Sequence, residues 1–342
     1  MEEQKEFRIN NFDLLRLLAA IEVVFDHYFQ HLSIPISHTA EKVLYLFPGV
    51  PVFFVISGYL ISASYERNPG LKNYFRNRAL RIYPGLWGCI ILAVIAISLT
   101  GVSFLNKQAA VWLPIQMAGL SYTPAFLTHY GFGSWNGSVW TIPIELQFYL
   151  LMPVCFFLAP KKHLNAWFAG LFLVFLGASI ACRLIPLDDR TGKILQYSFI
   201  PHFYLFLVGV IFQRLRIYQS AFIYGKALYW MVAYVAFTMF LYDSFPRVYF
   251  DTVQYLFMSL VMLSMAYTLP NLANQLLRKN DISYGIYIYH GVILTIIVQL
   301  KLVSHVNLPL VLALSMLMGT LSWIFIEKPF IKRKERALRK VE

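Results

Sequence analysis

Residues 12–29 read FDLLRLLAAIEVVFDHYF. The run is long enough to cross a bilayer, which takes about 20 mostly apolar residues. Yet it carries Asp13, Arg16, Glu22, Asp26 and His27. One such side chain at the centre of a membrane helix costs ~2.5–3.5 kcal/mol on translocon scales, so several together require partners or water inside a bundle. The stretch predicts a helix enclosed by other membrane helices and lining a functional cavity.

The rest of the chain supplies those helices. Of 342 residues, 58% are hydrophobic and 13% charged, against about 25% charged in an ordinary soluble domain. Apolar runs of spanning length lie near 12–30, 43–64, 83–104, 139–159, 165–185, 197–213, 226–243, 251–269, 284–303 and 308–327. No alternating strand-length segments suggest a barrel, so the expected fold is all-α: a polytopic membrane bundle of about ten transmembrane helices. Residues 1–342 are expected to form one integral membrane domain with no fused soluble domain. The first run lacks a small-residue cleavage site and reads as an uncleaved anchor.

Ten spans put both termini on one side, and the basic residues test this. Counted on alternate sides, Lys and Arg number 21 with the termini and 7 opposite, so both termini are predicted cytoplasmic. The net charge of +12 follows from this topology and does not point to nucleic acid. The basic run 332–340 reads as a cytoplasmic stop that also touches anionic membrane lipids. The longest connection on the other side, 105–138, holds an apolar segment, 109–120, too short to span and expected to be re-entrant or interfacial. Cys89, Cys155 and Cys182 are far apart among apolar residues and read as buried thiols.

Arg16 and His27 are eleven residues apart, three helical turns plus about 20°, with a rise of roughly 16 Å. They share a face, giving a fixed cation near one mouth of the cavity and a titratable imidazole deeper in. An Arg fork suits phosphate, and a His suits proton transfer. The bland alternative pairs Arg16 with Asp13 and leaves His27 satisfied in the core. His31 lies one turn beyond His27, a spacing that can bind zinc, but no third ligand is evident and no metal is expected.

Other residues add to this pattern. In FPGVPVFFVISGYLIS, Ser57 and Gly58 form a small-residue step for close helix packing, with Ser57 also able to donate to a substrate carbonyl. The segment YFRNRALRIYPGLW reads as a cytoplasmic loop whose Arg76, Arg78 and Arg81 either mark topology or bind a phosphorylated cofactor. Glu145, in SVWTIPIELQFYLLMP, is an intramembrane carboxylate whose expected partner is His27 or an arginine. His290 and Glu327 read as more often structural than catalytic. P-loop, GxGxxG, GxSxG and HExxH motifs are absent from the sequence.

At these residues the sequence resembles the acyltransferase-3 family of integral membrane O-acyltransferases, which modify bacterial surface and exported glycans. The resemblance rests on Arg16 and His27 with ten residues between them, FFVISGYLI (53–61), RNRALRIYP (76–84), NGSVWTIPIELQFYL (136–150), ISYGIYIYH (282–290) and IEKPF (326–330), in the family's order. It implies ten core helices in the bacterial cytoplasmic (inner) membrane. The implied donor is acyl-CoA, with acetyl-CoA preferred, entering from the cytoplasm, and the implied acceptor a saccharide hydroxyl, lipid-linked or on an exported polysaccharide. Arg16 and His27 match the family's activity-linked positions, Arg81 the arginine of its RIYP motif, and Glu145 the acid of its tryptophan motif. The chain differs from some members in ending at 342 without their extracytoplasmic hydrolase-like domain.

The combined expectation gives Arg16, Arg76, Arg78 and Arg81 the donor phosphates. His27 is the general base, Glu145 orients it, and Ser57 steadies the oxyanion. The competing reading is a proton-coupled secondary transporter of an anionic or sugar substrate, which would favour internal repeats and paired broken helices.

Overall fold

The computed structural model describes residues 9–331. Lys5, Arg8 and the basic run 332–340 lie outside the described residues. Among the described residues the chain is helical and without strands. The ten apolar runs correspond to ten helices: α1 (Phe12–His31), α2 (Gly49–Arg67), α3 (Leu71–Leu99), α4 (Thr141–Leu158), α5 (Leu164–Leu184), α6 (Phe203–Arg214), α7 (Ala227–Leu241), α8 (Arg247–Ala266), α9 (Ser283–Gln299) and α10 (Leu308–Ser322).

Six helical segments are long and apolar enough to cross a membrane, among them α3, α4, α5 and α8. The other two are α2 with the preceding turn from His38, and α10 with its extension to Ile331. The protein is a multi-pass membrane protein. Helices α6, α7 and α9 are apolar but shorter, and α1 has 20 residues but four acidic or basic side chains. Large apolar side chains such as Phe157, Leu173, Leu228 and Phe240 point outward, as lipid-facing surfaces require.

One boundary differs in a way that matters for function. Helix α3 begins at Leu71 and runs through Pro84, so Arg76, Arg78 and Arg81 stand on the helix and not on a loop. A proline interrupts one backbone hydrogen bond, but the apolar face continuing from Ile82 to Ile97 buries enough surface to carry the helix through it. In the connection 105–138, Lys107–Met117 is a helix capped by the Asn106 side chain, which accepts from the Ala109 N–H at 2.8 Å. Its Trp112 is fully buried.

The described residues fall into two compact units: 9–19, 37–70 and 144–279 in one, and 20–36, 71–143 and 280–331 in the other. In the first, α2 packs along α6, which also meets α5 and α8, and α7 packs on α8. Here the start of α1 is pinned by Asn11, whose Nδ2 donates to the Thr268 carbonyl at 2.9 Å and whose Oδ1 accepts from Ala273 N–H at 2.9 Å. In the second, α9 packs on α10 and on α3. The last turn of α10 continues into a π-turn, Trp323–Glu327.

Candidate active site

The far end of α1 presents its histidines within the second unit. His27 is half-buried and His290, on α9, is wholly buried. Their rings meet, His27 Nδ1 lying 2.9 Å from His290 Nε2. The same His290 nitrogen lies 3.0 Å from Ser138 Oγ, and His290 Nδ1 lies 3.1 Å from the Ile286 carbonyl oxygen one turn back. His31, one turn beyond His27, stacks flat on Phe132 with centroids 4.0 Å apart.

Ser138 and Phe132 come from the connection before α4, and the sequence dictates how that segment docks. Asn136 is buried; its Nδ2 donates to the Ile288 carbonyl at 2.7 Å and its Oδ1 accepts from Ser138 N–H at 2.9 Å. Such backbone-directed side-chain bonds replace the regular structure the segment lacks. Gly291 makes room, since a Cβ there would stand 2.0 Å from Asn136 Oδ1. Thr295 Oγ1 donates to the Ser134 carbonyl at 2.7 Å. The loop is thus tied along α9 and delivers a hydroxyl to His290.

The arginines fall in different settings. Arg16 shares the uninterrupted helix α1 with His27, is half-buried, and donates to the exposed Asp13 at 3.1 Å. Arg76 is exposed and Arg78 half-buried. Arg81 is paired with the buried carboxylate of Asp281, which also accepts from the Ser283 backbone N–H at the start of α9.

In the first unit, Ser57 is half-buried on α2 beside Gly58, and Glu145 on α4 accepts a hydrogen bond from Tyr149 one turn on. The hydrogen-bond partner of His27 is His290, and that of Glu145 is Tyr149. Glu327 is buried in the π-turn and accepts from Ser322 Oγ at 2.8 Å. Among the described residues no three His, Cys, Asp or Glu side chains are arranged to hold a metal ion. Cys89 and Cys155 are buried, Cys182 partly so, and all three are free thiols.

From the sequence His290 reads as more often structural than catalytic, and Ser138 is not singled out. His290 is visible in the sequence as an intramembrane histidine, a class that merits a functional hypothesis by default. Ser138 carries no comparable signal, because only the fold of the loop brings it to the imidazole.

A family model described as an acyltransferase domain matches residues 9–327. The chain is 29% identical to nodulation protein 10 of Rhizobium leguminosarum bv. viciae, over 94% of this chain and 93% of that one. It is 25% identical to an O-acetyl transferase of Shigella phage Sf6, over 96% and 98% of the two chains. It is also 25% identical to the exopolysaccharide production protein ExoZ of Rhizobium meliloti, over 86% and 94%. No solved structure matches.

Proposed function

The chain belongs to the acyltransferase-3 family, and from that premise we propose that it transfers an acyl group, acetyl by preference, from acyl-CoA to a saccharide hydroxyl. The acceptor is a lipid-linked or exported polysaccharide, a class suggested by the relatives named for O-acetyl transfer and exopolysaccharide production. Because acyl-CoA is made in the cytoplasm, the membrane is the bacterial cytoplasmic membrane. All ten helices cross it, with both termini on the cytoplasmic side.

The observation that carries the reading is His27, an imidazole on the helix that also bears Arg16, held by the buried imidazole of His290 on α9. His27 takes the proton of the acceptor hydroxyl as that oxygen attacks the thioester carbonyl. The C–S bond then breaks, and the departing thiolate takes the proton back from the imidazolium. Arg16, Arg76 and Arg78 hold the donor's phosphates through their planar forks, while Arg81, committed to Asp281, braces the helix that presents two of them. Ser57 steadies the oxyanion. Glu145 balances the imidazolium as a charge and not as its hydrogen-bond partner. The roughly 16 Å rise from Arg16 to His27 along α1 is comparable to an extended pantetheine arm.

The test is free-thiol release from acetyl-CoA by the purified protein in nanodiscs, with saccharide acceptors supplied. Wild type should turn over. His27→Ala should abolish turnover while still binding acetyl-CoA, and Arg16→Ala should need several-fold more donor. Absence of both thiol release and donor binding, or proton-coupled sugar uptake without thiol release, would overturn the reading.

A further inference from the structure

We propose that His290 is a positioning residue that fixes the tautomer of His27 and so makes its Nε2 the base. This inference rests on His27 acting as the base. His290 Nδ1 lies 3.1 Å from the carbonyl oxygen of Ile286. A carbonyl can only accept, so Nδ1 carries a hydrogen and donates it there. In the neutral ring Nε2 then bears a lone pair and no hydrogen. His27 Nδ1 stands 2.9 Å from that lone pair, and two facing lone pairs at this distance would repel. The hydrogen between them belongs to His27 Nδ1. The remaining nitrogen of His27, Nε2, is left with its lone pair free to take a proton.

His290 is suited to the neutral state by its surroundings. It is wholly buried, and its side chain meets a carbonyl, a hydroxyl and an imidazole. The titratable groups facing it are His27 and His31 from α1, with Tyr287 beside it on α9. No acidic side chain is among these neighbours, and a buried cation without a counter-charge is costly. The Ser138 hydroxyl, 3.0 Å from the same nitrogen, is a second donor to it and keeps Nε2 an acceptor. The arrangement parallels the aspartate of a catalytic triad, with a neutral imidazole anchored to a helix carbonyl as the orienting acceptor.

Two variants and one direct measurement test this. His290→Leu removes the acceptor and should lower kcat by about 10²–10⁴-fold, the scale of a tautomer error in a triad, with KM for acetyl-CoA unchanged. His290→Gln can offer an amide oxygen to His27 Nδ1–H and should restore kcat to within about tenfold of wild type, an effect that simple cavity filling would not give. Nitrogen-15 NMR of histidine-labelled wild-type protein in lipid should find His27 protonated at Nδ1. This last readout does not depend on any variant folding. A kcat for His290→Leu within threefold of wild type, or a neutral His27 protonated at Nε2, would overturn the inference even with His27→Ala inactive. An active His27→Ala would instead bring down the function it rests on.

Discussion

Arg81 on α3 and Asp281 at the start of α9 form an ion pair whose side chains are 21% and 8% exposed. The carboxylate also caps Ser283, so the pair ties two helices of the second unit together. Removing one partner takes the counter-charge from the other, which costs up to about 3–5 kcal/mol at a buried site. Arg81→Ala and Asp281→Ala should therefore each lower the thermal midpoint sharply. The double variant should lose less than the sum, and a double-mutant cycle by thermal unfolding reads the difference.

Arg76, exposed on the same helix, should behave in the opposite way. Arg76→Ala should leave the midpoint within about 0.5 kcal/mol of wild type, as surface substitutions do, and raise the KM for acetyl-CoA. A stability loss matching that of Arg81→Ala, with KM unchanged, would remove Arg76 from the donor site.

The contrast between these two arginines marks where the sequence could be read and where it could not. Each of the ten apolar runs holds a helix, six of them in segments long and apolar enough to cross a membrane, because a helix in lipid must satisfy its own backbone polar groups. The segment before Pro84 reads as a loop, and the extension of α3 back to Leu71 through Pro84 depends on tertiary burial that a local rule does not contain. In the same way, Arg16 and His27 were legible because one helix fixes their spacing. The partnership of His27 with His290 joins positions 263 apart in the chain, and no periodicity encodes it. From its own segment Arg81 reads as an anion ligand, and its pairing with Asp281, 200 residues away, is invisible there.

The small-residue step on α2 is a packing device. A Cβ on Gly58 would lie 1.9 Å from the carbonyl oxygen of Phe206 on α6, and one on Gly209 would lie 2.1 Å from the carbonyl oxygen of Val55. The two helices touch backbone to backbone, as small residues permit in membrane proteins. Gly58→Ala should cost about 1–3 kcal/mol by overpacking. The neighbouring Ser57→Ala, which leaves backbone contact untouched, should cost little stability and instead lower kcat if Ser57 steadies the oxyanion. Thermal shift and thiol-release kinetics on the pair separate these roles.

The proposed topology assigns sides to the loops flanking α9. Arg278 and Lys279 precede it, and Ser304 lies in the turn that follows. A single cysteine at Lys279 should be labelled by an impermeant thiol reagent only in inverted vesicles, and one at Ser304 only in intact cells. A background with Cys89, Cys155 and Cys182 replaced by Ala or Ser removes the native thiols. Labelling of both positions from the same face would mean that α9 does not cross, and the count of ten would fall.

Asn136 gives the sharpest separation of stability from catalysis. Its amide satisfies the Ile288 carbonyl with one end and the Ser138 N–H with the other. Asn136→Ala leaves the Ser138 N–H without that acceptor, and an unsatisfied buried group costs about 1–3 kcal/mol. Asn136→Asp should be worse, because a carboxylate oxygen would face the Ile288 carbonyl with no hydrogen between them. In both variants Ser138 loses the tether that holds its hydroxyl 3.0 Å from His290, so kcat should fall further than the loss of folded protein explains. Normalising thiol release to the folded fraction, read from the thermal curve, isolates that surplus. If kcat per folded molecule stays at the wild-type value, the loop anchors the fold and takes no part in positioning the histidines.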